Sequence, residues 1–395
     1  MPIRSKVEIN QKVLRGEILA FYKNFKSVCF FSPASGSVKN IIFNEKHRLK
    51  QIIIESDEKF EDFQHDRLES KEFSKENILN YLCKNGLFSH IKMRPYDVFA
   101  VDDKLPGAIF IKALEKAPFM PSYEMQIKGL EEFFDTGLLA LSHVSKDLHI
   151  VHDKNSECKN FIHPSVGKSH SAEGAYPVSN SSVHINIIRP IRSEDDIIWT
   201  LDVLDVIAIG KMLLTGKYYT KRIFSIAGAN ILEDQRSFYE IDFGFPIKPI
   251  VENMTFEKDG CNILGNILTG TKVYEDNFIF YKSLGFCSIF HKKEKNLFAN
   301  FRIFKKLKQF TDNLNGEERA FVDGSVYDRV MPLDILTMPL IKAILAKDYN
   351  LAKKLGILEV AAEDFALSTF VCPSKIELLK IVENALIFLG SEKFG

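Results

Sequence analysis

Apolar and polar positions alternate at short range over residues 1 to about 55. The runs "KVLRGEILAFY", "VCFFSPASGSVKNIIF" and "LKQIIIES" are separated by Gly16, Pro33, Ser35 and Gly36. This is the pattern of short strands joined by tight turns, and it predicts a small all-β module. The stretch that follows, "SDEKFEDFQHDRLESKEFSKEN", is polar and rich in charge and reads as a linker. Beyond it the period lengthens. "NILNYLCKNGLF" has helical spacing with Gly86 as its stop, and "GAIFIKAL" reads as a buried strand. "YEMQIKGLEEFFDTGLLAL" reads as a helix, "DLHIVHD" and "VHINIIRPI" as strands, and "DVLDVIAIGKMLLTG" as a helix closed by Gly216. "RIFSIAG" is a further strand. Strands alternating with helices predict a layered α/β domain with a largely parallel sheet.

Residues 229 to about 290 are strand-rich with frequent turns, as in "NILGNILTGTKV", and predict a small α+β or β-grasp unit. The last hundred residues open on a β-like stretch and finish in helices. "MPLIKAILAKDYNLAKKLG" places Leu340, Ile341, Ile344 and Leu345 at helical spacing, with Gly356 as terminator. In the final segment Ser374 and Glu377 have the spacing of a capping box. Leu378, Ile381, Val382, Ala385, Leu386 and Leu389 trace one apolar face after it, and Gly390 ends it. No repeat at a solenoid period is present.

A chain of 395 residues has material for two to four domains. With 33 Phe and one Trp, phenylalanine fills much of the core. The formal net charge is zero, which removes the simplest electrostatic case for binding nucleic acid. The six cysteines are scattered without a Cys-x-x-Cys pair. Zinc ribbons and dithiol redox sites lack support, and unpaired thiols fit a reducing compartment. The longest apolar region, "IIWTLDVLDVIAIGKMLL", is interrupted by Asp202, Asp205 and Lys211. A bilayer-spanning helix needs roughly 20 mostly apolar residues, so the chain lies beside a membrane at most. The opening "MPIRSKVEIN" has charges and no apolar run, unlike a secretory signal.

Three motifs carry candidate chemistry. Gly167-Lys168-Ser169 matches the end of a phosphate-gripping loop, but the first glycine of that motif is Ile162 here, and Pro164 removes a backbone donor. A polar surface loop is the preferred reading. No Gly-x-Gly-x-x-Gly occurs for a dinucleotide, and no Gly-x-Ser-x-Gly for a hydrolase nucleophile. His149 with His152, and His163 with His170, are close in sequence without metal-binding specificity. His184 reads as a structural histidine in a strand. Finally, "HKKEKNLFANFRIFKKLKQF" has seven Lys or Arg against one Glu, interleaved with Phe. Its ordinary reading is the solvated face of a β-hairpin. Its functional reading is attraction to an anionic membrane surface or an acidic partner through Arg302, Lys305, Lys306 and Lys308. Each basic group near such a surface contributes about 1 kcal/mol.

The words "FSPASGSV", "DVIAIGKMLLTGKYY", "NGEERAFVDGSVYDRVMPLDIL" and "AKKLGILEVAAEDFALSTFVCPSK" together resemble the A subunit of the bacterial Na+-translocating NADH:quinone reductases. "GLF", "RPYD", "IFI" and "PFMPSYE" extend the resemblance through the α/β region, in family order and over nearly the whole chain. It implies an α/β multidomain architecture shared with the C subunit of the Rnf complex and the flavoprotein subunit of respiratory complex I. That architecture is a barrel-sandwich hybrid of biotinyl/lipoyl type (1–57), a Rossmann-like α/β domain (75–228), a ubiquitin-like β-grasp domain (229–290), and a C-terminal β-hairpin region with a helical domain (291–395). The family pattern starts earlier in the first module than this chain does. No Met-Lys-Met-type acceptor turn is present, so no carried prosthetic group is expected.

The resemblance implies a peripheral subunit on the cytoplasmic face of the bacterial inner membrane, docked on the membrane-embedded B subunit. The complex oxidises NADH, reduces ubiquinone and exports Na+, with flavins and an iron–sulfur centre in partner subunits and ubiquinone nearby. Two departures stand out. Relatives write one loop as His-Pro-Ala-Gly and then His-Ile-His, whereas this chain has Tyr176-Pro177-Val178-Ser179 and then His184-Ile185-Asn186. Cluster-binding kin hold [4Fe–4S] with Cys-x2-Cys-x2-Cys-x3-Cys-Pro. Anchored on Cys372-Pro373, those positions are Ala362, Phe365, Ser368 and Cys372, and one thiolate cannot hold a cluster. No catalytic, cofactor or metal residue is therefore assigned. The expectation is a cofactor-free scaffold without activity of its own. The alternative is a self-sufficient flavin- or NADH-binding oxidoreductase.

Overall fold

In the computed structural model, which describes residues 3–258, 260–290, 320 and 324–394, the amino-terminal strands form two three-stranded antiparallel sheets. One sheet orders Ile3–Ser5, Ile18–Tyr22 and Cys29–Phe31; the other orders Lys12–Val13, Gly36–Phe43 and Leu49–Ser56. Val7, Val13, Leu19 and Val38 fill the space between them. Val28, Cys29 and Phe31 instead belong to the main core of the α/β domain, where the Phe31 ring stacks on Tyr218 at 4.0 Å between centroids. The module is therefore fastened to its neighbour by shared apolar packing.

The segment read as a linker is a strap. Phe63 N–H donates to the Arg15 carbonyl (2.8 Å), His65 N–H to Gly216 (2.8 Å) and Leu68 N–H to Leu213 (3.2 Å). The buried His65 ring reaches the Gly16 carbonyl with Nε2 at 2.8 Å. Side chains add to this fastening: Arg15 pairs with Asp62 (2.6 Å), and Gln64 and Arg67 donate to the Thr215 carbonyl (2.9 and 3.1 Å).

The α/β sheet has the order Lys168–Ala172, Leu148–Asp153, Ala108–Ala113, Ile198–Asp202, Lys92–Arg94, Val98–Phe99. The first four strands are parallel, Lys92–Arg94 runs against them, and Val98–Phe99 pairs antiparallel to Lys92–Arg94. The central strands are buried on both faces, which accounts for the apolar runs Ile109-Phe110-Ile111 and Ile198-Trp199. Helices Glu131–Val144 and Val203–Thr215 cover one face, and Ser181–Ile188 the other. That last helix corrects the strand read at "VHINIIRPI". Over so short a span, alternating polar and apolar residues fit either period, and packing of Ile185 against Phe110 and Ile198 decides for helix. The helix read over 123–141 is two, Tyr123–Ile127 and Glu131–Val144, broken where Gly129 takes φ +79°.

A second, five-stranded sheet orders Ser237–Asp242, Lys221–Ala227, Gly285–Ile289, Cys261–Leu264 and Thr271–Lys272. Helix Lys248–Met254 packs on it through Ile250 and Val251. Lys221–Ala227 pairs only within this sheet, so the boundary read at 228/229 moves back to about residue 220. The C-terminal region has its own core, built by Leu340, Ile341, Phe365, Val382 and Leu386. Its long helical run is split into Thr337–Leu345 and Tyr349–Lys354, with Asp348 accepting the Leu351 N–H at the new start. The Ser374–Glu377 cap does not form. Ser374 donates to the Ala320 carbonyl, the last helix begins at Leu378, and it continues past Gly390 to Phe394. No helix among the described residues is long and apolar enough to cross a membrane.

The two covering helices approach until backbone meets backbone. A Cβ on Gly210 would lie 1.8 Å from the Phe133 carbonyl oxygen and 2.7 Å from Gly137 N. Gly210→Ala is expected to lower stability by about 1–3 kcal/mol or more in urea unfolding, because the helices must part. A change within a few tenths of a kcal/mol would refute this packing.

Candidate functional site

Between Ala108–Ala113 and Ile198–Asp202, which stay paired as far as Lys112 and Asp202, the strand order reverses. A parallel sheet leaves its ligand crevice at such a point. Here it opens into a cavity of about 520 Å³ whose walls come from three regions. The sheet supplies Lys112, Glu115 and Asp202; the second sheet supplies Lys282; the helical region supplies Glu363 and Ile387.

The loop after Ala108–Ala113 curls onto its own acid. Glu115 Oε1 accepts the backbone N–H groups of Lys116 (2.9 Å) and Ala117 (2.8 Å), with the Ser179 hydroxyl at 3.4 Å. Its Oε2 receives Lys112 Nζ at 3.0 Å. The Glu115 side chain is only 9% exposed. Burial works against its charge, but Lys112 and the two amides outweigh it and hold the carboxyl below its usual range. Lys112, opposed by burial and favoured by Glu115 and Glu363, is held above its usual range.

At the second strand end, Asp202 and Asp205 cap the helix Val203–Thr215 reciprocally, each carboxylate accepting the other's backbone N–H at 3.0 Å. Their environments separate them. Burial and then the neighbouring Asp205 charge push Asp202 up to about 6. Burial also opposes the charge of Asp205, but Lys282, at 2.5 Å from both of its oxygens, holds it well below the carboxylate range. His90 Nδ1 lies 2.9 Å from Asp205 Oδ1, and Tyr281 donates its hydroxyl to the same oxygen at 3.0 Å. The Tyr218 hydroxyl lies 3.0 Å from His90 Nε2. Lys282 and Tyr281 are thereby clamped to the α/β domain, so this network ties the second sheet to the crevice. The sequence carried one sign of it: two aspartates three residues apart where a strand meets a helix.

Tyr176, Pro177 and His184 lie where the α/β domain meets the helical region. The Tyr176 hydroxyl donates to the Glu363 carbonyl at 3.2 Å, and Asn180 Nδ2 to Asp364 Oδ1 at 2.8 Å. His184 sits in a helix rather than a strand, with Nε2 at 2.8 Å from the Val178 carbonyl, so it fixes the loop from within. Arg94 joins the same seam, donating to the Ser182 hydroxyl (2.8 Å) and the Glu359 carbonyl (3.0 Å).

Of the four positions that cluster-binding kin occupy with cysteine, Phe365, Ser368 and Cys372 are fully buried in the helical region, and Ala362 borders the cavity. Cys372 Sγ meets the Tyr327 hydroxyl at 3.2 Å and the Ile376 N–H at 3.3 Å, while Phe365 belongs to the apolar core. These residues do not fit a cluster. Among the described residues no three His, Cys, Asp or Glu side chains converge as metal ligands. His149 and His170 do meet, Nδ1 to Nε2 at 2.9 Å on adjacent strands, a pair that sequence proximity did not suggest. Gly167-Lys168-Ser169 runs into the edge strand Lys168–Ala172, not a helix, and Lys168 pairs with Asp147 at 2.7 Å. It is neither a phosphate loop nor the free surface loop expected. Arg302, Lys305, Lys306 and Lys308 lie outside the described residues.

Burial lowers the His184 pKa to about 4, against about 6.5 when unfolded. Between these values the unfolded chain binds more protons. The stability His184 gives is thus complete above about pH 6.5 and lost towards pH 4, by roughly 3 kcal/mol. The stability difference between the parent and His184→Gln, from denaturant titrations at several pH values, is expected to shrink by that order. A difference independent of pH would contradict a neutral buried ring.

Two domain families match the chain: the NqrA N-terminal barrel-sandwich hybrid domain over residues 1–57 and the NqrA second alpha/beta domain over residues 73–218. Relatives named as the A subunit of Na(+)-translocating NADH-quinone reductase align almost throughout. The Chlamydia caviae protein is 31% identical over 98% of this chain and 88% of its own length. Those of Histophilus somni and Photorhabdus laumondii are each 30% identical, over 96% and 98% of this chain and 89% and 90% of their own. Among solved structures, an NAD+-reducing [NiFe]-hydrogenase in the air-oxidized state overlaps 73% of this chain and 55% of its own at TM-score 0.39 and 11% identity, too distant to carry an argument. The shared amino-terminal module, the shared α/β domain and the near-complete alignments place this chain in the NqrA family, the A subunits of Na+-translocating NADH-quinone reductases.

Proposed function

We propose that this chain is the cofactor-free, peripheral A subunit of a Na+-pumping NADH:ubiquinone reductase, on the cytoplasmic face of the bacterial inner membrane. Its role is to support quinone reduction coupled to Na+ export. Electrons pass through flavins and an iron–sulfur centre of the partner subunits, with ubiquinone close by. The chain docks on the membrane-embedded B subunit and lends shape without a redox group. In the same reading the four parallel strands form a Rossmann-like domain, and the five-stranded sheet with its single helix a β-grasp domain.

Subunit identity rests on relatives of that name aligning over 98% of the chain. The cofactor-free role rests on one observation: at the crevice of the α/β sheet the loop amides are taken by Glu115. Phe365 and the single thiol Cys372, both buried, stand at the cluster positions. This favours the scaffold over a self-sufficient flavin- or NADH-binding oxidoreductase. The basic segment with Arg302, Lys305, Lys306 and Lys308 is the proposed contact with the membrane surface or an acidic partner.

Tagged full-length chain expressed in its own cells is expected to co-purify with membrane flavoprotein subunits. Membranes lacking it should lose NADH-driven quinone reduction while retaining NADH oxidation by artificial acceptors. Recovery of the chain alone, with quinone reduction unchanged in its absence, would overturn the reading. Separately, reversing Lys305, Lys306 and Lys308 to Glu is expected to weaken sedimentation with anionic liposomes or with the partner complex. Undiminished binding to both would remove the proposed contact.

A further inference from the structure

A carboxylate can serve a fold as a group to be neutralised or as an occupant of a site. At Glu115 the donors are arranged around the anion. Two consecutive backbone N–H groups, from Lys116 and Ala117, converge on Oε1, and the half-buried Lys112 completes Oε2. Consecutive amides pointing at one centre form an anion-binding concavity. This one lies at the carboxyl end of the first parallel strand, beside the strand-order reversal, where sheets of this class hold the anionic group of a ligand.

We infer that Glu115 is the resident anion of an oxyanion subsite: its carboxylate occupies the place of a ligand's phosphate or carboxylate and is the residue that excludes such ligands from the crevice. The subsite has the donors that an oxyanion needs, with Lys112 as its cation. It lacks only the vacancy. The adjoining cavity of about 520 Å³ has room for the remainder of a small molecule, so the exclusion is by charge and hydrogen-bond occupancy rather than by lack of space. Two anions cannot share one pair of amides, and a second negative charge beside Glu115 would be repelled at close range. The inference concerns the cofactor-free part of the proposed function and is independent of the chain's membership of a respiratory complex.

The test is anion rescue in the full chain. Glu115→Ala removes the resident anion and leaves Lys112 and the two amides facing an opening of carboxylate size. Its thermal midpoint is expected below that of the parent. Added acetate or inorganic phosphate, at constant ionic strength, should raise it saturably, by about 2–4 °C near saturation. Rescue by acetate alone would mark a carboxylate-sized subsite, and rescue by both a phosphate-sized one. The parent should not respond. Nor should Glu115→Gln, whose amide oxygen fills the space and still accepts the backbone N–H groups. If Glu115→Ala is recovered only unfolded, its refolding yield in acetate against chloride reads the same rescue. No saturable response in Glu115→Ala by either readout would overturn the inference. Equal responses in the parent would overturn it as well, because the subsite would then be open with Glu115 in place.

Discussion

A parallel sheet whose strand order reverses parts its loops at the reversal and leaves a crevice there. In this chain the anion position is taken internally, while a cavity of about 520 Å³ stays open beside it. The loop after Ala108–Ala113 turns two amides inward and meets them with Glu115, whose charge Lys112 balances. Buried amides and a buried carboxylate each carry a desolvation cost, and each removes the other's. The loop can therefore hold its shape without the glycines that close approach to a nucleotide would require.

The second consequence is mechanical. Asp205 stands at the start of the helix following the other strand of the crevice and is 3% exposed. It is stabilised by Lys282, Tyr281 and His90, two of which arrive from or beside the second sheet. Removing Lys282 would leave the buried Asp205 charge without its cation, so this contact ties the second sheet to the crevice. On the opposite side, Tyr176, Asn180 and Arg94 engage residues 359–364 of the helical region. Residues 359–364 are thus a seam between the α/β domain and the helical region. Shared packing at Phe31 and Tyr218 fixes the amino-terminal module in the same way. The second sheet and the helical region are thus both joined to the α/β domain at residues that border the crevice.

Local signals carried much of this. The buried strand at Ala108–Ala113 was legible as an apolar run, and Gly86 and Gly216 marked helix ends because each adopts a positive φ. The cysteine arithmetic around Cys372 was legible once the Cys-Pro anchor was recognised. What failed were features decided at a distance. Residues 183–188 contain enough β-branched side chains for a strand, but packing against Phe110 and Ile198 makes them a helix. The stretch over 56–77 looked like a linker because its partners, backbone and side chain alike, lie far away in sequence, which composition does not report. Glu115 was invisible for another reason. Its role depends on where the Lys116 and Ala117 amides point, and nothing in a Lys-x-x-Glu spacing states that.

In the proposed function Glu115 takes the anion position of the crevice and the chain carries no redox group. Flavin and iron content of the purified full chain, by visible absorption and elemental analysis, tests it most directly. A colourless protein with neither in stoichiometric amount is expected; one flavin or a complement of iron per chain, retained through purification, would refute the cofactor-free reading.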